Sequence, residues 1–283
     1  MFKILSKETI GVSIVRMVIE APRIASKIGP GQFVIILSDE KGERIPLTVA
    51  DFDREKGSIT IICQTIGAST KRLALLNEGE FIRDVVGPLG RPTDLDGIKS
   101  VAVIGGGVGC AIAYPQAKYL YNSGARVDII AGFRSKDLII LEDDMKAVSH
   151  DLTVLTDDGS NGNKGLVTDG LRKKIEDGAD YDAVIAIGPP IMMKFVSLLT
   201  KQYSIKTIVS MNPIMIDGTG MCGGCRLTVG GETKFACIDG PDFDGHLVDF
   251  DELIRRNGMY KNEEACENER FHECNLDKIG GDV

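Results

Sequence analysis

Along the first hundred positions the apolar residues fall in short β-branched runs. Gln32-Phe33-Val34-Ile35-Ile36-Leu37 and Ser58-Ile59-Thr60-Ile61-Ile62 are bounded by Gly, Pro and Asp, the punctuation of strands joined by tight turns. Residues 1–97 are therefore expected to form a small antiparallel β-barrel. From Lys99 the pattern changes. SVAVIGGGVG, RVDIIAGF, DLTVLTDDG and YDAVIAIGPP are strand-like runs separated by helix-like stretches, and that alternation predicts a parallel, doubly wound α/β sheet over 98–212. A cysteine-bearing loop segment follows over 213–250, and 251–283 reads as a charge-rich tail without a clear repeat.

Length and composition narrow the class. At 283 residues and 43% hydrophobic content the chain has room for two ordinary cores. Lys and Arg total 33 against 41 Asp and Glu, a net charge of −8, which argues against nucleic acid as a partner. The N-terminus MFKILSKETIGVSIVRM lacks the apolar core and cleavage site of a signal peptide, and no stretch offers about 18 consecutive apolar residues. A cytoplasmic protein with no membrane partner is expected. Seven cysteines, odd in number and unevenly spaced, fit a reducing compartment with metal ligation better than a disulfide framework. Cys63, inside an apolar strand, is expected to be core packing.

The most specific chemistry lies in DGTGMCGGCRLTVGGETKFAC, residues 217–237. Cys222 and Cys225 stand two residues apart and Cys237 returns after eleven more. Soft thiolates select iron–sulfur clusters, zinc or copper(I), and the glycines let backbone amides turn toward sulfur. A plant-type ferredoxin loop places its first cysteine four residues before the next pair; here that slot holds Asp217, so the expected ligands are Asp217, Cys222, Cys225 and Cys237. A zinc knuckle, or a CxxC that only turns a hairpin, is the alternative reading of the same residues.

Two further glycine-rich turns are candidate phosphate seats. Gly105, Gly106, Gly107 and Gly109 follow an apolar strand and precede a helix-like stretch, where bare backbone and helix N-terminal amides suit a pyrophosphate; tight packing alone would explain them too. Arg134, Ser135 and Lys136 after the next strand could meet a ribose or its 2′-phosphate, and Gly188 and Pro189 end a later strand; a solvated turn and a strand terminator are the plain alternatives. In the barrel, Arg44-Ile45-Pro46-Leu47-Thr48 groups a cation and a hydroxyl around a proline, and Gly67-Ala68-Ser69-Thr70 opens a helix. Taken alone, these are an edge-strand arginine and a helix cap. Pro115 is expected to shorten or kink the helix after the glycine turn.

Taken together, RIPLT, GAST, GGGVG, IGPP and the cysteine loop resemble, in order and over about 250 residues, the ferredoxin-reductase superfamily in its dihydroorotate dehydrogenase electron-transfer-subunit branch. TDDGSNGNKGLVTD and NPIMIDGTGMCGGCRLTVGG are similar to the small FAD-containing subunits of NADH-dependent ferredoxin:NADP oxidoreductases, also called sulfide dehydrogenase subunits. The resemblance implies a β-barrel FAD domain, a Rossmann-like NAD domain and a small C-terminal 2Fe-2S domain. It implies FAD along Arg44, Pro46, Leu47 and Thr48 with its pyrophosphate at Gly67, Ser69 and Thr70. NAD(H) would lie across Gly105, Gly106, Gly107 and Gly109, with Gly188 and Pro189 near the nicotinamide, and the cluster would be 2Fe-2S.

Asp217 departs from the dihydroorotate branch, which has cysteine there, and agrees with the bifurcating oxidoreductases. The resemblance further implies a heterodimer with a larger subunit carrying a second FAD and 4Fe-4S clusters, where electrons divide between ferredoxin and NADP. The alternatives are an electron-transfer subunit for dihydroorotate oxidation and a non-enzymatic nucleotide-binding zinc protein. A hydride is a two-electron unit and a cluster carries one electron, so a flavin must stand between them. No catalytic side chain is expected: His150, His246 and His272 stand in no nucleophile or acid–base constellation. Cys266, His272 and Cys274 are too few for a structural zinc site and are assigned no chemistry.

Overall fold

The computed structural model describes residues 1–40 and 42–279, with side chains as far as Phe271. Its first part comprises β1 (Phe2–Gly11), β2 (Ile14–Glu20), α1 (Pro22–Ala25), β3 (Phe33–Leu37), β4 (Ile45–Asp53), β5 (Ser58–Gln64), α2 (Ala68–Leu75), β6 (Phe81–Ile82) and β7 (Asp84–Leu89). The strands form one antiparallel seven-stranded sheet in the order β6-β1-β2-β5-β4-β3-β7. It curls into a half-barrel around Ile4, Met17, Ile19, Val34, Ile36, Ile59 and Ile61, all buried. Alternation makes this work: in β2, Met17 and Ile19 point inward while Arg16 and Glu20 do not. Each fully buried aliphatic side chain contributes about 1.5–3 kcal/mol. Cys63 lies in this core, as expected.

The second part runs β8 (Ser100–Gly106), α3 (Gly109–Asn122), β9 (Arg126–Phe133), α4 (Glu142–Ala147), β10 (Asp151–Thr156), α5 (Val167–Glu176), β11 (Ala183–Ile187), α6 (Pro190–Gln202) and β12 (Lys206–Ser210). Its parallel strands are ordered β10-β9-β8-β11-β12. All five residues of β11 are buried, as a parallel strand covered on both faces requires. Pro115 neither shortens nor interrupts α3; it is buried inside a helix that continues to Asn122.

Then follow β13 (Arg226–Val229), β14 (Glu232–Phe235), α7 (Ala236–Asp239), β15 (Asp242–Asp244), α8 (Phe250–Asn257) and α9 (Lys261–Ile279). β13 and β14 form a hairpin whose two-residue turn, Gly230-Gly231, has φ of +61° and +80°, the left-handed backbone that such turns demand. β15 leaves the cysteine segment and joins the second sheet antiparallel to β12. The charge-rich end of the chain is helical. Asp249 caps α8 through the Glu252 amide at 2.9 Å and Phe250 and Leu253 are its buried face, while α9 packs across α2.

Several contacts bind the parts together. Ile14, Ala50 and Ile62 of the half-barrel share a core with Val101, Val103, Ala113 and Ala117, and Lys118 of α3 reaches Asp51 of β4 at 2.7 Å. Phe33 and Ile35 of β3 pack instead in the core that contains Met211, Met215, Cys225 and Cys237.

Candidate functional site

The crossovers of the second sheet diverge between β8 and β11, its topological switch point, where open α/β sheets bind ligands beyond the strand ends. The glycines predicted for a dinucleotide gather there. Ile187 pairs with Gly105, and a methyl group on Gly109 would lie 2.5 Å from the Ile187 carbonyl oxygen and 2.8 Å from Gly188 Cα. One on Gly106 would meet Met192 Sδ at 2.5 Å and Pro189 Cδ at 3.0 Å. Gly107 differs. At φ +56° its Cβ would meet nothing within 4 Å, so it faces the open crevice while the others press two backbones together. Among the described residues, no side chain caps α3 or α6, which leaves two helix N-termini beside the crevice for an anion. Arg134 is exposed just beyond β9, and Lys136 begins the following 3₁₀ turn.

In the half-barrel the two other motifs meet. Ser69 Oγ donates to Glu43 at 3.0 Å, which brings GAST beside the residue preceding Arg44. Arg44 is exposed and 3.8 Å from Asp84; Pro46, Leu47 and Thr48 are half-buried on β4. β4 pairs with β5 from Val49 onward, while Ile45 to Thr48 pair only with β3, so that edge of RIPLT stays open and Pro46 interrupts no ladder there. Among the described residues, no side chain caps the Gly67 end of α2. An isoalloxazine edge and a pyrophosphate fit an open strand edge next to an uncapped helix N-terminus.

The cysteine loop is built from left-handed glycines. Gly218 (φ +75°) presses on the half-barrel, where a methyl group would meet Ile35 Cδ1 at 2.6 Å and Leu89 Cδ1 at 2.8 Å. Cys225 and Cys237 are buried with sulfurs 3.2 Å apart, and Cys222 stands at the exposed rim. Amides point at sulfur: Gly224 N lies 3.4 Å from Cys222 Sγ and Cys237 N 3.5 Å from Cys225 Sγ. The Asp217 carboxylate accepts the Thr219 amide at 2.7 Å and the Cys222 amide at 2.8 Å, and the Thr219 bond foremost holds it below the usual carboxylate range.

Burial, reinforced by Cys225, pushes the Cys237 thiol up to about 12. A buried thiol such as that of Cys237 ionises readily only beside a strong positive charge, as a metal centre provides. Among the described residues, no three ligand-type side chains converge as a metal site. The donor set nevertheless suits an iron–sulfur centre, since each Asp217 oxygen keeps a free lone pair after accepting one amide.

Sequence reasoning missed three features. Lys71, next to GAST, is 3.1 Å from Asn268 of α9, and the Arg72 guanidinium lies 5.7 Å from the Phe271 ring; no local signal announces either. Arg91 and Thr93 of the linker after β7 grip residues 238–242. Gln116, fully buried among Ala113, Ala117 and Leu120 of α3, was detectable as a polar residue on an apolar stripe. The His150 ring lies 5.2 Å from that of Tyr121, tilted by 53°, and His246 meets Thr200 at 3.0 Å, both structural; Cys266 is exposed, and the side chains of His272 and Cys274 lie outside the described residues.

A curled antiparallel sheet followed by a doubly wound sheet with this crevice is a ferredoxin-reductase-like fold. Phthalate dioxygenase reductase shares it at a TM-score of 0.58 and 18% identity, over 91% of this chain and 80% of its own. Residues 212–249 match the iron-sulfur cluster binding domain of dihydroorotate dehydrogenase B.

The chain is 45% identical over 269 residues to the dihydroorotate dehydrogenase B (NAD(+)) electron transfer subunit homolog of Thermotoga maritima, covering 95% of each. It is 32% identical to the corresponding subunit of Shouchella clausii, over 80% of this chain and 89% of that one. The chain belongs to this electron transfer subunit family. The structure of NADH-dependent reduced ferredoxin-NADP oxidoreductase contains a chain that superposes at a TM-score of 0.90 with 45% identity, over 95% of this chain and 97% of that one.

Proposed function

We propose that this protein is the small electron-transfer subunit of an NADH-dependent reduced ferredoxin:NADP oxidoreductase complex, moving electrons between NAD(H), FAD and a 2Fe-2S cluster. The observation that carries it is the likeness in chain path and sequence to a chain of such an oxidoreductase over nearly the full length of both. Arg44, Pro46, Leu47 and Thr48 would line the flavin, with Gly67, Ser69 and Thr70 at its pyrophosphate. Gly105, Gly106, Gly107 and Gly109 would admit the dinucleotide, Gly188 and Pro189 would abut its nicotinamide, and Arg134 would meet its adenosine end. Asp217, Cys222, Cys225 and Cys237 would hold the cluster.

When bound, the flavin supplies the exchange between hydride and single electrons, and the cluster carries those electrons one at a time. The chain's own residues bind, orient and exclude water: Gly106 and Gly188 allow close backbone approach at the switch point, and amides aimed at Cys222 and Cys225 tune the sulfurs. No acid–base side chain is needed.

The partner in this reading is a larger subunit with its own FAD and 4Fe-4S clusters, forming a heterodimer that meets ferredoxin. Cys63 and Cys110 of this chain are buried in apolar cores, which supports placing further clusters elsewhere. A cytoplasmic location accords with the unpaired cysteines among the described residues; among those residues, too, no helix is long and apolar enough to cross a membrane. A second reading, electron transfer to a dihydroorotate dehydrogenase, draws on the match at 212–249.

Anaerobic purification of the native complex tests both. Co-purification of a large iron–sulfur flavoprotein, with a chromophore bleached by NADH in preference to NADPH, supports the first. An FMN-containing dehydrogenase as partner supports the second. Zinc without flavin or iron would overturn both.

A further inference from the structure

Residues 238–242, which leave Cys237, are gripped by the linker between half-barrel and nucleotide domain. The Arg91 amide donates to Gly240 O at 2.6 Å, and Arg91 Nε donates to Ile238 O at 3.0 Å. The grip ends at Asp242. Its Oδ2 accepts the Thr93 hydroxyl and the Gln116 amide at 3.0 Å, and Gln116 also donates to Thr93 at 2.9 Å. Gly31 of the half-barrel presses bare backbone on the same point: at φ +83°, its Cβ would lie 2.1 Å from Thr93 Oγ1 and 2.7 Å from Asp242 Oδ2. Half-barrel, linker, α3 and the strand after Cys237 thus meet at one carboxyl.

That node has too many acceptors. Among the described residues, Asp242 Oδ1 and Gln116 Oε1 are buried with no partner at hydrogen-bond geometry, the Ser210 hydroxyl acting on the carboxyl from outside it, although buried polar atoms are almost always satisfied. A proton on Oδ1 would turn one of these acceptors into a donor. Burial pushes the Asp242 carboxyl up to about 6, against the opposing pull of Ser210, Thr93 and Gln116. Among the described residues, no charged side chain offsets this. Arg91 pairs with Asp239 at 3.9 Å, Lys118 of α3 with Asp51, and Asp244 of β15 lies 3.9 Å from His246; residues 29–32 of the half-barrel and Ser210 of β12 bring no charge.

We propose that Asp242 is a proton-linked positioning residue: its carboxyl locks the segment leaving Cys237 to the linker and α3, and takes up one proton from solvent when the cluster gains an electron. The proton offsets the added negative charge in a poorly solvated region and returns to solvent when the electron departs. This rests on the reading of Cys237 as a cluster ligand.

The test compares the full heterodimer as wild type, D242N and T93V. D242N keeps the shape and loses the titration. Potentiometric EPR titration of the cluster between pH 5.5 and 8.5 should give a wild-type potential that falls above about pH 6, with a slope no steeper than 59 mV per unit, the one-electron, one-proton value. It should be flat in D242N and retained, shifted, in T93V. A flat wild type, or a D242N slope equal to wild type, overturns the proposal.

Amide exchange of residues 238–242 in the metal-free full chain separates the lock from the cluster. After correction for intrinsic rates, opening should rise up to roughly a hundredfold from pH 4 to pH 7 in wild type, following the difference between folded and free carboxyl, and stay level in D242N. Wild-type protein that never binds iron would refute the cluster reading, and the lock would then stand or fall on this exchange difference alone.

Discussion

Replacing Gly109 and Gly107 separately by alanine distinguishes two jobs done by neighbouring glycines. At Gly109 the new methyl would sit 2.5 Å from a carbonyl oxygen and 2.8 Å from a backbone carbon of the adjoining strand end. Neither can rotate away, so relief requires β8 and α3 to part from β11 and α6. Overpacking of this kind costs about 1–3 kcal/mol, and removing a glycine from the first helical turn returns less than about 1 kcal/mol; the expected net loss is about 2 kcal/mol. At Gly107 there is no clash. Its φ of +56° costs an L-residue about 1–2 kcal/mol, and the methyl projects into the crevice.

G109A should therefore lower the urea midpoint more than G107A, and both should weaken NADH, G107A by at least about tenfold, equivalent to 1.4 kcal/mol. Urea unfolding followed by circular dichroism, with NADH titrated against flavin absorbance, reads both quantities. A G109A protein as stable as wild type would refute the close approach of the strand ends. NADH affinity untouched in G107A would remove the dinucleotide from this crevice.

Other perturbations probe the remaining parts. C225S and C237S should lose iron while C63A, altering a buried core thiol, keeps it; iron per chain by colorimetric assay decides, and an iron-free C63A would break the assignment. D217A should lose iron and D217C retain it with a shifted cluster potential, whereas loss in both would make Asp217 a turn-former for the Thr219 and Cys222 amides only. Asp242 holds its proton to about 6 when folded, against 3.8 as an ordinary aspartate. Folding therefore binds a proton in that window, and this group's contribution to stability falls as pH rises through it, by about 1.4 kcal/mol per unit. The stability of D242N relative to wild type should grow between pH 4 and 6 and level off above; parallel curves would contradict the shift. K118M should cost no more than about 1 kcal/mol, because the Lys118–Asp51 pair is partly solvated, and a loss severalfold larger in thermal unfolding would mean that this pair, not the Ile14–Ala50–Ile62 contact, joins the domains.

The sequence by itself determined the strands of the half-barrel and the alternating strands and helices of the second sheet, since β-branched alternation and glycine and proline punctuation act over a few residues, whereas the helices of the charge-rich end, which carry no clear repeat, were not legible there. It determined too which residue types could hold a metal or a phosphate. Only the tertiary structure decided which of them meet. Ser69 finds Glu43 because α2 folds back over the start of β4; α9 lies on α2; and Thr93, Gln116 and Asp242 come together because β15 returns to the edge of β12 after the cysteine loop. Such contacts span from 23 to 197 residues of chain and depend on sheet order and crossover direction, which no local window encodes. Asp217 shows the same division: its spacing puts it in the slot of a first cluster ligand, but only the folded loop aims its carboxylate at two amides.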